Sequence, residues 1–242
     1  MTVTENVNPE ANPLIFGSSY WWLGIAILIV VGIFFFVFAP KQEDKSFQAW
    51  LPVLGWVIFI HQALYWLMAI LEQRFTLSAS LPLHLCGMSQ LLLFAYLSLK
   101  QKWAFPLVAF WGPLGGIMGI LTPALFVINT FFVVQFFVSH ALIVIVPLYL
   151  MMRGGKRIPA NYFWRVIIFT NILALSMIVV NYFLSANYMY VSQPPPVPPY
   201  TSGHWFFQWP WYLIFIEFQL IILVWIYWRA ISKFRQAPSV DN

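Results

Sequence analysis

Seven stretches of this chain are apolar over about the length a helix needs to cross a bilayer, and this repetition constrains the fold more than any motif does. A hydrocarbon core about 30 Å thick takes roughly 20 helical residues at about 1.5 Å each. The stretches run over residues 20–39, 51–71, 81–99, 103–121, 129–152, 164–186 and 211–230. Hydrocarbon leaves no water to satisfy the backbone, so only helices and closed barrels span it. These runs are continuous rather than alternating, which makes them helices. Only 8% of the residues are charged, against about a quarter in soluble domains. The fold class is therefore all-α, a polytopic membrane protein built as a seven-transmembrane-helix bundle. Residues 20–230 form one membrane domain, between an extracytoplasmic tail of residues 1–19 and a cytoplasmic tail of residues 231–242.

The orientation follows from the cations. Lys41, Lys45, Lys100, Lys102, Arg153, Lys156, Arg157, Arg165, Arg229, Lys233 and Arg235 fall on alternate connections, and Arg74 stands alone on the other side. Cytoplasmic loops are rich in Lys and Arg, so the N-terminus is outside and the C-terminus cytoplasmic. The same scatter removes the nucleic-acid reading of the net charge of +5. The first 19 residues carry two glutamates and no basic residue, unlike a signal peptide, and the helix after them reads as retained. Trp21, Trp22, Trp50, Trp103, Trp164, Trp211 and Trp228 lie near helix ends, where indoles anchor at the membrane interface.

Three segments are unusual. The fourth run pairs Gly112 with Gly116 and Gly115 with Gly119, a spacing that lets helices approach closely or leaves room for a lipid. Its Pro106 and Pro113 predict a kink. The connection 193–212 carries five prolines in 194–199 and then an aromatic cluster, and reads as a stiff cover over the outer mouth of the bundle or an interfacial spacer. The third run, "LPLHLCGMSQ", holds the only cysteine and one of four histidines.

Polar groups in hydrocarbon are costly and face the bundle interior. Here they include His61, Gln62, His84, Cys86, Ser89, Gln90, Gln135, Ser139, His140, Asn171, Asn181, Glu217 and Gln219. Cys86, Ser89 and Gln90 share one helix face, whereas His84, two positions away, points elsewhere. An imidazole serving Cys86 would come from another helix, from His140 or His61. Counted from the helix ends, Cys86 lies about 7 Å deep, Glu217 about 9 Å with Asn181 similar, and His61 and His140 roughly 15–17 Å.

A thiol becomes a nucleophile when a neighbouring imidazole takes its proton, which gives acyl transfer or ester hydrolysis. Ser89, Gln90 or Asn181 are candidate oxyanion donors, and Glu217 is a candidate orienter of a histidine. The membrane makes lipids the expected substrate or ligand; no cofactor, metal or protein partner is called for. Two alternatives stand beside this reading. One is a non-catalytic lipid-binding or transport protein using the same pocket. The other is an intramembrane hydrolase with a metal on His61, His84, His140 or Cys86. A retinal protein is excluded, because no lysine lies in any of the seven runs.

"LPLHLCGMSQ", "FFVSHALIVIVPLYL", and "NYMY" followed by a proline run and "WPWY" resemble the YwaF family of bacterial membrane proteins, relatives of human transmembrane protein 164. The resemblance covers about residues 20 to 230. It implies a seven-helix bundle in a bacterial cytoplasmic membrane and cysteine-dependent transfer of fatty acyl chains onto lysophospholipids. It implies Cys86 as the nucleophile and His140 as the base. His84 reads beside them as a supporting residue that fixes either the third helix or the substrate headgroup. A more distant similarity is to intramembrane threonine hydrolases of fatty-acid esters of hydroxy fatty acids.

The charge pattern sets one expectation directly. A reporter fused at residue 242 will be active only as a cytoplasmic reporter; an active alkaline phosphatase at that position would reverse the orientation.

Overall fold

The computed structural model describes residues 12–14, 16–123, 126–127 and 129–236, so the assigned tails lie partly outside the described residues. The described chain contains seven α-helices: α1 (Ser19–Ile33), α2 (Phe47–Leu71), α3 (Leu85–Leu97), α4 (Ala104–Leu121), α5 (Thr130–Met152), α6 (Tyr162–Leu184) and α7 (Trp211–Ala230). A π-helical turn, Phe34–Phe38, extends α1. Six of the helices are long and apolar enough to cross a bilayer, which makes this an integral, multi-pass membrane protein. Helix α3 has only 13 residues. Five of the predicted runs match to within two residues at each end; the second helix starts four residues earlier, and the third is shorter.

Helices α4 and α5 form the centre. In their spanning windows 67% and 72% of residues are buried, against 17–28% in the other spanning helices. Association in lipid depends on close packing, because lipid tails are as apolar as the side chains. Small residues sit where it is closest. A Cβ at Gly112 would overlap the Ile143 carbonyl of α5, one at Gly24 the Phe137 ring, and one at Gly55 the hydroxyl of Ser98 on α3. Helices α6 and α7 attach to α4 through a hydrogen bond from Trp111 Nε1 to Thr170 Oγ1 (2.8 Å) and stacking of Phe110 on Trp228. Pro113 lies within α4, but Pro106 stands in its first turn, where the missing N–H is one the helix would not have used.

The cation-bearing connections meet at one end of the bundle. Gln42 N donates to Arg153 O, and Ile158 bridges to Arg235 in the chain after α7. At the other end Asn129, the N-cap of α5, donates to Glu72 beyond α2, and Trp21 Nε1 donates to Ile120 O at the end of α4. Trp21 is therefore not a lipid-facing anchor but a clasp between α1 and α4. Trp228 is turned inward too, whereas Trp22, Trp103, Trp164 and Trp211 are exposed as the interfacial reading requires. A helix-end position gives a tryptophan's height but not which way it faces.

The shortness of α3 has a structural cause. After α2 the chain folds back along that helix. Trp66, five residues before the end of α2, donates to Ser80 O, which places Ser80 about 7–8 Å below that end. Helix α3 then runs back beside α2, so that Ser98 near its end donates to Pro52 O near the start of α2. Irregular backbone packed inside a bundle needs protein partners for its polar groups. Tyr188, which is fully buried, does much of this. Its hydroxyl donates to Leu77 O (2.7 Å) and accepts from Leu81 N (3.1 Å). Its own backbone is held by Asn181 of α6, which accepts from Tyr188 N and donates to Tyr188 O.

Tyr188→Phe leaves Leu77 O and Leu81 N without this partner and should cost about 2–6 kcal/mol, since each buried unsatisfied group costs about 1–3 kcal/mol. Thermal unfolding in detergent will show it; Tyr182→Phe, at an 82% exposed position, is the control that should not move.

Candidate functional site

The thiol and one buried imidazole both face α4. Its residues Gly112 and Gly116 press on the α5 backbone, and Gly115 and Gly119 occupy an adjoining face. A Cβ at Gly115 would stand 3.3 Å from Cys86 Sγ, and one at Gly119 would stand 2.6 Å from His140 Nε2. The only thiol and a buried imidazole thus lie against consecutive turns of one helix, whose Cβ positions are about 5–6 Å apart. Among the described residues no hydrogen bond joins thiol and imidazole directly. The two glycine pairs divide the expected roles: one closes a helix contact, and the other leaves space for these two side chains.

The tautomer of His140 follows from its partner. Nδ1 lies 2.7 Å from Phe136 O, and a carbonyl only accepts. Nδ1 therefore carries the proton, and in the neutral ring Nε2, the atom beside Gly119, keeps its lone pair. Phe136 also stacks on the ring at 4.0 Å, which fixes its plane. Sequence reading cannot find such a partner, since every residue four positions earlier on a helix offers the same carbonyl.

The order of depths is the reverse of the expected one. Gly119 is two residues from the end of α4 and Gly115 six, so Cys86 lies one turn farther in than His140. Counting from helix ends assumes a common end plane. Here α3 begins below the folded-back segment, and α4 stops about 12 Å short of the start of α5: His140 is ten residues into α5, and the Gly119 it meets is two from the end of α4.

The remaining candidates are engaged elsewhere. Ser89 donates to Leu85 O at 2.7 Å within its own helix. His84 precedes α3; its Nδ1 accepts from Met189 N at 3.2 Å, and its ring packs on Tyr188 and Tyr190. These contacts hold the chain just before the third helix. Asn181 has no free amide hydrogen for an oxyanion: one goes to Tyr188 O and the other to Ser192 Oγ. Glu217 of α7 accepts from Asn171 of α6, and α7 packs on α6 and α4. His61 Nε2 lies 3.3 Å from Gln135 O and 3.0 Å from Ser139 Oγ, so the proton it carries is shared between them. Ser139 and His140 are consecutive, about 100° apart around α5, so His61 and His140 serve different faces. Beside His61 a cavity of about 240 Å³ lies between α2 and α5, lined also by Leu64, Phe131, Val134, Gln135 and Val138.

Gln90 differs from all of these. It is one turn along α3 from Cys86 and only 5% exposed, yet among the described residues its Oε1 has no hydrogen-bond partner. Among the described residues no three His, Cys, Asp or Glu side chains gather as a metal-ligand set. The connection 193–212 packs on α7 rather than over α3: Tyr200 donates to Gln219 and meets Phe207 and Phe215. Residues 188–191, before it, reach the start of α3: Met189 N donates to His84, and Tyr188 and Val191 share a cluster with Leu81 and Leu83.

Residues 15–228 match the model of the TMEM164 family. No curated protein and no solved structure matches the chain.

The two glycine faces predict opposite behaviour. Gly112→Ala forces α4 from α5 and should lower stability by about 1–3 kcal/mol, the usual cost of overpacking. Gly115→Ala should change thermal stability by less than about 1 kcal/mol, while slowing alkylation of Cys86 by a lipophilic maleimide. Equal effects of the two on melting would refute the division.

Proposed function

This chain belongs to the TMEM164 family, and on that premise we propose that it carries out acyl-chain chemistry on membrane lipids, with Cys86 as nucleophile and His140 as base. The observation that carries the reading is the unprotonated Nε2 of His140, held in that tautomer by Phe136 O, on the same α4 face as the Cys86 thiol. In acylation the thiol proton passes to Nε2 and Sγ attacks the ester carbonyl. The ester C–O bond breaks, and the leaving oxygen takes the proton from Nε2. In the second half an acceptor alcohol gives its proton to Nε2 and attacks the thioester carbonyl; the C–S bond breaks and the sulfur recovers a proton. Catalytic contacts in free enzymes are often long and tighten when substrate binds, which accords with the missing direct thiol–imidazole bond.

The reading extends to topology. Helix α3 together with the folded-back segment 72–84 makes the third of seven crossings, the N-terminus faces outward, and the cation-bearing end faces the cytoplasm of a bacterial cell. The meeting of the cationic connections at one end supports this. A non-catalytic lipid-binding role has one observation in its favour, the mostly apolar cavity beside His61.

With purified protein in lipid and a labelled phospholipid donor, Cys86→Ala should abolish the trapped adduct and turnover, at a stability cost on the order of 1 kcal/mol. Cys86→Ser should retain little activity, because a hydroxyl ionises far less readily than a thiol. His140→Ala should slow acylation by about 10²–10⁴, the usual worth of a general base. Full turnover by well-folded Cys86→Ala would end the thiol reading.

A further inference from the structure

The chain that follows α7 is fastened to the connection between α5 and α6. Ile158 N donates to Phe234 O at 3.0 Å, and Gln236 N donates to Ile158 O at 2.8 Å. This bridge gathers cations. The Arg157 guanidinium lies 5.6 Å from the ring centre of Phe234, and Lys233 Nζ lies 5.0 Å from the same ring. The Arg235 guanidinium lies 4.6 Å from the ring of Trp228. Backbone carbonyls hold both arginines: Arg157 Nη1 donates to Lys233 O at 3.0 Å, and Arg235 Nε to Ser232 O at 3.3 Å. A guanidinium offers more donors than these bonds use. No carboxylate takes up the rest, since among the described residues the ion pair formed is Arg74 with Glu72, at the other end of the bundle.

The usual excess of cations at one membrane face accounts for the sign of this surface but not for its order. Side chains free to spread apart would serve topology equally well. Lys100 and Lys102, exposed on the connection between α3 and α4 at the same end, have no such ring contacts among the described residues. Holding like charges together is unfavourable unless an anion joins them. The surroundings say which anion suits the cluster. Trp164 and Ile168 of α6, and Trp225 and Ile226 of α7, are exposed in the adjoining turns. An inorganic anion would use the charge alone, whereas a phospholipid also covers this apolar surface with its chains.

We infer that Arg157, Lys233 and Arg235 form a binding site for the headgroup phosphate of an anionic phospholipid, in the leaflet at the cation-bearing end, with its acyl chains along α6 and α7. Phosphate oxygens accept charge-assisted hydrogen bonds from the arginine donors left free. The rings and carbonyls restrain those side chains in advance, so binding orders them less. The site is separate from the thiol and the imidazole, which meet α4 towards its other end, and it stands whether or not Cys86 is a nucleophile.

The test titrates the full chain, purified in a neutral detergent, with phosphatidylglycerol and with phosphatidylcholine of the same acyl chains, and follows bound lipid by native mass spectrometry. Phosphatidylglycerol should bind at least about tenfold more tightly, and its affinity should fall as salt rises. Arg157→Gln with Lys233→Gln should weaken it about 10- to 30-fold, roughly fivefold for each cation lost. Lys100→Gln with Lys102→Gln removes the same charge from the same end and should change it by less than about threefold. Phe234→Leu keeps every charge but removes the ring that gathers two of them, and should weaken binding about two- to fivefold. Equal losses in the two double variants would show that net charge alone attracts the lipid, and would overturn the site. Equal affinity for the two lipids would overturn it as well. So would displacement of phosphatidylglycerol by inorganic phosphate, which would make the ligand a free anion.

Discussion

A buried peptide group left unpaired costs about 1–3 kcal/mol, and segment 72–84 is not helical. The fold depends on how that segment is satisfied. The Tyr188 hydroxyl closes it at two points, Trp66 at a third, and Asn181 clamps the tyrosine backbone at N–H and carbonyl together. Met189 and Tyr190, next along the chain, both adopt positive φ, which side-chain-bearing residues rarely do. Bonds from Met189 N to His84 and from the Tyr212 hydroxyl to Tyr190 O hold them there. This knot ties α3, α6 and α7 together outside the helices, and it sets where α3 begins and so where Cys86 lies.

The second determinant is α4. Successive residues Gly115 and Gly116 point about 100° apart, so one helix presents two glycine faces without conflict. On one face the backbone touches α5; on the other the space that side chains would have filled goes to the thiol and the imidazole. A close helix contact and the seats of the thiol and the imidazole thus come from the same short sequence, "GPLGGIMG".

Much of this was legible in the sequence. Apolar length located the helices, because in lipid a helix end is set by where hydrocarbon-compatible side chains stop. Ser89 and Gln90 are buried and Cys86, half-buried, lies against Gly115 of α4, while His84 meets Met189 instead. What escaped were quantities that depend on more than one helix. Depth failed because α3, α4 and α5 do not end at one level. Asn181 and Glu217 looked available because their partners, a tyrosine backbone and an asparagine on the adjacent helix, become neighbours only on folding. Tyr188 lay within the quoted "NYMY", yet nothing in that tetrapeptide says that its hydroxyl meets a segment more than a hundred residues earlier.

Cys86 and His140 arrive on different helices, but each is seated against α4, which therefore acts as a common reference for both. Bilayers differ in thickness, and spanning helices answer by tilting. A tilt shared by α3, α4 and α5 carries thiol and imidazole along together and leaves their separation unchanged; only relative sliding alters it. The seam of Gly112 and Gly116 against α5 and the seating of Ser98 and Leu97 against Gly55 oppose such sliding. The geometry of the pair is in this sense buffered against the thickness of the membrane that surrounds it.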